Sequence, residues 1–269
     1  MILVFDVGNT ETTVGLYEPP TLQAHWRLTT IPERTPDELM LLIRQLLAAR
    51  DVRPAAVQGT ALGSVVPAVT GPLSEACAQC FGVPAVIVDA AAPLPIQLAV
   101  EEPLTVGADR IINTLAASRL YGRDTVVVDL GTATTFDCIT ADGVFLGGVI
   151  APGVRTSAET LFRRTSKLPA TELRAPAQVI GTRTEECIRA GVVFGAADAV
   201  DGIVRRIIKA WPRPARPLVV ATGGLADAIR PFCETIELVA PHLTLDGLRI
   251  AYELLTDPAS GRSGRDPAQ

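Results

Sequence analysis

Two short strings carry the residue types that phosphate chemistry uses. Asp6-Val7-Gly8-Asn9-Thr10 closes the apolar run Ile2-Leu3-Val4-Phe5, and Asp129-Leu130-Gly131-Thr132 closes Thr125-Val126-Val127-Val128. A carboxylate at a strand end projects off the ladder, where it can hold Mg2+ directly or through water. The glycine two residues on lets backbone N–H groups approach phosphate oxygens, while Asn9, Thr10 and Thr132 add side-chain donors. One Asp-x-Gly string alone reads as an ordinary polar turn. Two copies on equivalent strands point to function, because strand C-termini are where open α/β sheets bind ligands.

Other candidates surround these strings. Thr132, Thr134 and Thr135 stand near Asp129, and carboxylate plus hydroxyl oxygens suit a hard cation as well as phosphate. Asp137, two residues beyond Thr135, shares its strand face or serves as partner to a backbone amide. Gly223-Gly224 ends a third apolar run, where two glycines let a flat nucleobase or ribose lie against backbone. Asp109, in Gly107-Ala108-Asp109-Arg110, opens a helix. There it either complements the helix dipole or accepts a hydroxyl proton during phosphoryl transfer, with Arg110 stabilising negative charge. Thr184, followed by Glu185 and Glu186, has the composition of a helix cap.

The elements that must position these residues can be read in outline. β-Branched residues continue after each motif glycine, so neither site turns directly into a helix as dinucleotide folds and P-loops do. Asp142-Gly143 is a tight-turn signal leading into Val144–Ile150. Each unit is therefore strand, turn, strand, and the chain is built from two related halves. Thr35-Pro36-Asp37-Glu38 is a capping box opening a helix to about Arg50. A second helix runs from Gly107 to Gly122, and a long apolar one follows Thr184, its Gly191 and Gly195 leaving room for a close neighbour. Short strands are expected near 57–64, 84–88, 217–221 and 235–239, with a loop over Pro212 to Pro217. From about Thr256 the composition is that of an unstructured tail.

Bulk composition narrows the classes. Hydrophobic residues make up 48% of 269, enough for a real core. The net charge of -5 with scattered basic residues leaves no nucleic-acid footprint. No apolar run reaches the roughly 18 residues of a membrane helix, and the first residues lack a basic n-region and cleavage site. Five dispersed cysteines fit reduced thiols in a cytoplasmic protein. Cys77 and Cys80, on an expected helix over 72–81, read as packing neighbours rather than a metal pair.

In order along the chain, these strings resemble the type III pantothenate kinase family. The resemblance rests on Asp6-Val7-Gly8-Asn9-Thr10 with Gly15, Ser64-Val65-Val66-Pro67, Gly107-Ala108-Asp109-Arg110, and Asp129 to Asp137. It continues through Gly147-Gly148 to Pro152-Gly153, Gly223-Gly224-Leu225-Ala226 and Asp246-Gly247-Leu248, covering residues 1 to about 255. It implies an α/β fold of two actin-like, ribonuclease-H-like lobes with mixed sheets flanked by helices, at 1–119 and 120–255, before a tail at 256–269. It also implies ATP-dependent phosphorylation of pantothenate, the first step toward coenzyme A, in a homodimer, with both ligands in a cleft between the lobes. By the resemblance, Asp109 is the general base. ATP contacts fall on Asp6, Val7, Gly8, Asn9, Thr10, Glu11, Thr12, Thr13 and Thr132, and the reading of Gly223 and Gly224 as a nucleotide turn agrees. Pantothenate contacts fall on Gly107, Ala108, Asp109, Arg110 and Thr184, with Val100 at the position of a family tyrosine that lines the pocket. By the resemblance Asp129 binds a monovalent cation, potassium or ammonium, while the residue reading gives Mg2+ to Asp6. Two departures stand out: Val100 offers no hydroxyl, and Arg183 occupies a position where a small polar residue is common. The competing readings are a phosphotransferase or phosphohydrolase of another small molecule, and a nucleotide-binding accessory or regulatory protein.

Overall fold

The structure, a computed structural model, describes residues 1–257. Strand β1 (Ile2–Val7) is buried at every position except Asp6, which is half-buried, so both faces of the strand are covered. It pairs antiparallel with β2 (Glu11–Glu18), which pairs antiparallel with β3 (Thr21–Thr29). On its other side β1 runs parallel to β4 (Gly59–Ser64), and β4 to β5 (Val86–Ile87). The sheet order is β3-β2-β1-β4-β5.

Side-chain alternation along β1 assigns the two faces. Leu3, Phe5 and Val7 pack with Leu39, Ile43 and Leu47 of α1 (Pro36–Ala48) and Leu73 and Cys77 of α2 (Pro67–Phe81). Ile2 and Val4 pack with Ile112 and Leu115 of α3 (Ala108–Tyr121) and with Leu245 and Leu248 of α7 (Leu243–Thr256). Burying one such side chain contributes about 1.5–3 kcal/mol, so each face is held by several. The capping box of α1 is formed: the Thr35 hydroxyl accepts from the Glu38 N–H at 3.3 Å, and Glu38 accepts from the Thr35 N–H at 2.8 Å.

The second sheet repeats the first. Its order is β11-β10-β7-β8-β9-β6, which read from the other end is the meander β9-β8-β7 followed by β10 and β11. Strand β7 (Thr125–Leu130) is antiparallel to β8 (Ala133–Ile139), β8 is antiparallel to β9 (Val144–Pro152), and β10 (Leu218–Thr222) is parallel to β7 and β11 (Leu238–Val239). The short β6 (Gln97–Leu98) adds a parallel edge to β9. Val126, Val128 and Leu130 pack with Val192, Val200 and Val204 of α5 (Thr184–Lys209). Two further helices, α4 (Val154–Arg164) and α6 (Ala226–Ile229), belong to this half.

The described residues divide into two compact units: 1–96, 101–116 and 244–257, and 97–100 and 117–243. This differs from a single division near residue 120. Helix α7 joins the N-terminal sheet because its apolar face completes the layer over Ile2 and Val4. Helices α4 and α7 are not among the elements expected from the sequence. Gly191 and Gly195 were expected to admit a close neighbour, yet a side chain at either would meet open space. Thr256 is the last residue of α7, and the expected tail beyond residue 257 lies outside the described residues. Cys77 is buried and Cys80 half-buried on α2. Among the described residues, no helix is long and apolar enough to cross a membrane.

Candidate active site

Both Asp-x-Gly strings form hairpin turns, one at the C-terminal end of β1 and the other at that of β7. Strand register gives them a common pattern. Asp6 lies opposite Thr13 and Val7 opposite Thr12, while Asp129 lies opposite Thr135 and Leu130 opposite Thr134. Each carboxylate therefore has a threonine as its cross-strand neighbour.

The first turn is closed by the Gly8 N–H donating to the Glu11 carbonyl at 3.0 Å. Asn9, Thr10 and Glu11 are exposed and Thr13 half-buried, whereas Thr12 is buried with its hydroxyl 2.9 Å from that of Thr30. Thr30, just past β3, also donates its hydroxyl to the Gly8 carbonyl at 2.7 Å and its N–H to the Thr10 carbonyl at 3.0 Å. Nothing in the local sequence marked Thr30, because its partners lie some 20 residues earlier and meet it only through β2–β3 pairing.

Asp109 occupies the first turn of α3, in the same unit as Asp6. The Arg110 N–H donates to Asp109 Oδ1 at 2.8 Å. Desolvation dominates that environment and raises the carboxyl above its ordinary range, opposed by the Arg110 N–H and guanidinium. Gly107 makes the room: a Cβ there would stand 2.6 Å from Asp109 Oδ1 and 3.5 Å from Val65 Cγ1. Val65 in turn donates its N–H to the Val7 carbonyl at 3.0 Å. Asp109 is thus placed near the C-terminal ends of β1 and β4, the first of which carries Asp6.

Helix α7 holds α3 in place. Gly247 faces the turn after Asp109, where a Cβ would come 2.6 Å from the Ile112 carbonyl oxygen and 3.1 Å from Ala116 Cβ. The Thr244 hydroxyl donates to Asn113 Oδ1 at 3.0 Å, and Tyr17 of β2 donates to Asp246 at 2.7 Å. Burial and that bond to Asp246 push the Tyr17 phenol far up, so it stays a donor. These contacts explain the Asp246-Gly247-Leu248 string as an anchor.

In the second unit, the Gly131 N–H donates to the Ala133 carbonyl at 3.0 Å, and Thr156 of α4 donates its hydroxyl to the Thr132 carbonyl at 2.7 Å. Gly223 adopts φ +89° and lies against Asp129; a Cβ would meet the carboxylate and come 2.7 Å from the Leu130 nitrogen. The expected nucleotide turn Gly223-Gly224 is therefore brought beside the expected cation ligand. A cavity of about 470 Å3 adjoins this turn at Leu225 and is walled by Arg155, Glu159 and Phe162 of α4 and by Leu173 and Arg174. Asp137 is fully buried within β8.

The remaining substrate candidates also fall in the second unit. Val100 follows β6, with Cγ1 3.7 Å from where Gly147 would carry a side chain. Thr184 is exposed and is the first residue of α5, not its cap. Arg183 has no acceptor to cap with; the Glu186 carboxylate instead accepts from the N–H groups of Thr182 at 3.0 Å and Arg183 at 3.3 Å. Those bonds hold the Glu186 carboxyl below its usual range.

The family model for type III pantothenate kinase matches residues 2–206. The chain belongs to the type III pantothenate kinase family. A type III pantothenate kinase of Roseiflexus castenholzii is 45% identical over 254 residues, covering 94% of this chain and 99% of the relative. That of Desulfatibacillum aliphaticivorans is 42% identical over 258 residues, covering 96% and 100%. Among solved structures, a conserved protein provisionally assigned as a Baf family transcriptional activator from Campylobacter jejuni superposes with a TM-score of 0.56 at 20% identity, covering 93% of this chain and 97% of that one. That likeness bears on fold alone. With the duplicated sheet order, it agrees with the actin-like architecture that the type III pantothenate kinase resemblance implied.

Proposed function

We propose that this chain transfers the γ-phosphoryl group of ATP to the primary hydroxyl of pantothenate, with Asp109 accepting the hydroxyl proton. The observation that carries this reading is the desolvated Asp109 carboxylate at the start of α3, packed through Gly107 and Val65 to the strand end that bears Asp6. Family membership over most of the chain supplies the substrate class.

In this mechanism Asp109 takes the proton as the pantothenate oxygen bonds to the γ-phosphorus and the bond to ADP breaks. A raised pKa suits that work, since a base too acidic would scarcely hold the proton. Arg110, Gly107 and Ala108 orient the acidic substrate at the helix N-terminus, where the dipole favours an anion. Thr184 and Val100 are assigned to the rest of the pantothenate pocket. The turn running from Val7 to Thr13 holds the phosphates through its N–H groups and the exposed side chains of Asn9 and Thr10, together with Thr132, while buried Val7 and Thr12 support it. Gly223-Gly224 and the cavity beside Leu225 take the nucleoside.

The donor chemistry fits hard cations. Among the described residues no group of three His, Cys, Asp or Glu side chains is gathered as a metal cage. Single carboxylates flanked by threonines, at Asp6 and Asp129, are instead what a cation shared with phosphate oxygens needs. Asp6 is assigned Mg2+ and Asp129 potassium or ammonium; when bound, they neutralise charge on the transferring phosphate. We further assign a cytoplasmic location and a homodimer, the latter on the family resemblance.

The test is pantothenate-dependent ADP release with Mg2+, in potassium and in sodium. Asp109→Asn is expected to lower kcat by about 10²–10⁴-fold with ATP binding retained. Turnover without pantothenate would refute the substrate, and a fully active variant would refute the base.

A further inference from the structure

Thr30 and Thr156 lie outside both Asp-x-Gly strings, yet each closes a hydrogen bond onto a carbonyl of one turn. Thr30 reaches the Gly8 carbonyl at 2.7 Å and Thr156 the Thr132 carbonyl at 2.7 Å. They arrive from different kinds of element: Thr30 from the end of a meander, Thr156 from the first turn of α4.

Donor counting fixes the direction of the first network. A carbonyl can only accept, so the single Thr30 hydroxyl proton goes to Gly8, and the Thr12 hydroxyl must donate to Thr30. The chain of bonds runs Thr12 to Thr30 to Gly8 and ends on the Gly8–Asn9 peptide. Because a trans peptide is planar, turning the Gly8 carbonyl toward Thr30 points the Asn9 N–H the opposite way. Asn9 is exposed, so that donor faces outward from the strap. A hydrogen bond accepted at the carbonyl also polarises the peptide and strengthens its N–H as a donor. The Thr30 N–H holds the Thr10 carbonyl as well, at 3.0 Å. The second strap has one bond, made at an exposed site.

We propose that Thr30 and Thr156 are positioning residues for nucleotide binding, their hydroxyls fixing the two turn peptides so that N–H donors are presented to the phosphate groups. The inference rests on the ATP-binding reading above and extends it to residues the motifs do not contain.

The experiment measures affinity for Mg2+·ATP by calorimetry, with thermal melting alongside, for wild type, Thr30→Val, Thr30→Ser and Thr156→Val. Valine keeps threonine's shape without the hydroxyl, and serine keeps the hydroxyl without the methyl. Thr30→Val is expected to weaken ATP binding roughly ten-fold and Thr156→Val about three-fold, as the loss of two bonds and of one suggests. Thr30→Ser is expected to stay within about two-fold of wild type. The reverse ranking, with valine neutral and serine harmful, means that Thr30 only fills space and overturns the proposal. Unchanged affinity in both valine variants also overturns it. If Thr30→Val does not fold, Thr156→Val decides, because its bond lies at the surface. A wild-type chain that binds no ATP refutes the underlying reading, an outcome distinct from variants that bind as well as wild type.

Discussion

The two halves share a sheet order and an aspartate facing a threonine, but they finish the parallel strand beside that aspartate differently. In the first half, Ser64 stands beside Val7 on β4, and its hydroxyl both donates to the Val66 carbonyl at 3.1 Å and accepts from the Val66 N–H at 3.0 Å. That local turn leads into α2 through Pro67 at its first position. In the second half, the strand β10 runs into Gly223, whose φ of +89° and contact with Asp129 leave no space for a side chain. The first half closes its strand end with a side chain bonded to the following turn, and its proposed reactive group, Asp109, comes from α3. The second leaves bare backbone there. On the proposed reading, one duplicated scaffold carries the base in one half and the nucleotide turn in the other.

The sharpest way to break this comparison is to make the second half resemble the first. Gly223→Ala imposes both a disfavoured φ and a backbone collision with Leu130, at a cost of about 1–3 kcal/mol. It is expected to weaken ATP binding by roughly 10- to 100-fold, measured by calorimetry. An effect that small substitutions at Ser64 reproduce would show that the halves are not distinct.

The next test acts on the first half alone. Gly247→Ala meets the Ile112 carbonyl, which cannot rotate away, so α3 must move. Overpacking of this kind costs about 1–3 kcal/mol. A lower melting temperature is expected, with kcat falling more than ATP affinity, because Asp109 rides on α3 while the turns proposed to hold phosphate do not. Loss of ATP affinity in step with kcat would contradict that division.

The smallest effect is one of pH. Burial raises the Asp109 carboxyl, so its charge costs stability at pH above the folded pKa. Asp109→Asn should therefore melt higher than wild type at pH 8. The gain should shrink as pH falls through the folded pKa and vanish below the unfolded one. In the wild type, the acid limb of kcat/KM should lie above the ordinary carboxylate range, since only the ionised form accepts a proton. Equal melting of the two proteins at every pH would mean that Asp109 is solvated and that the first half holds no desolvated base.

By itself, the sequence determined the duplicated strand-turn-strand units, the capping box at Thr35, the helix carrying Asp109 and the family. Those are local signals: apolar strands ending in Asp-x-Gly, a cap, a motif order. Only the tertiary structure decided what comes from residues far apart along the chain. It returned α7 to the first sheet, where with α3 it completes the layer over Ile2 and Val4, and so gave Gly247 and Asp246 their role. It desolvated Asp109, removed Thr184 from the capping role that its neighbours suggested, and tied Thr12 into the strap with Thr30. Such facts depend on which surfaces meet, and the spacing of residues along one segment does not carry that information.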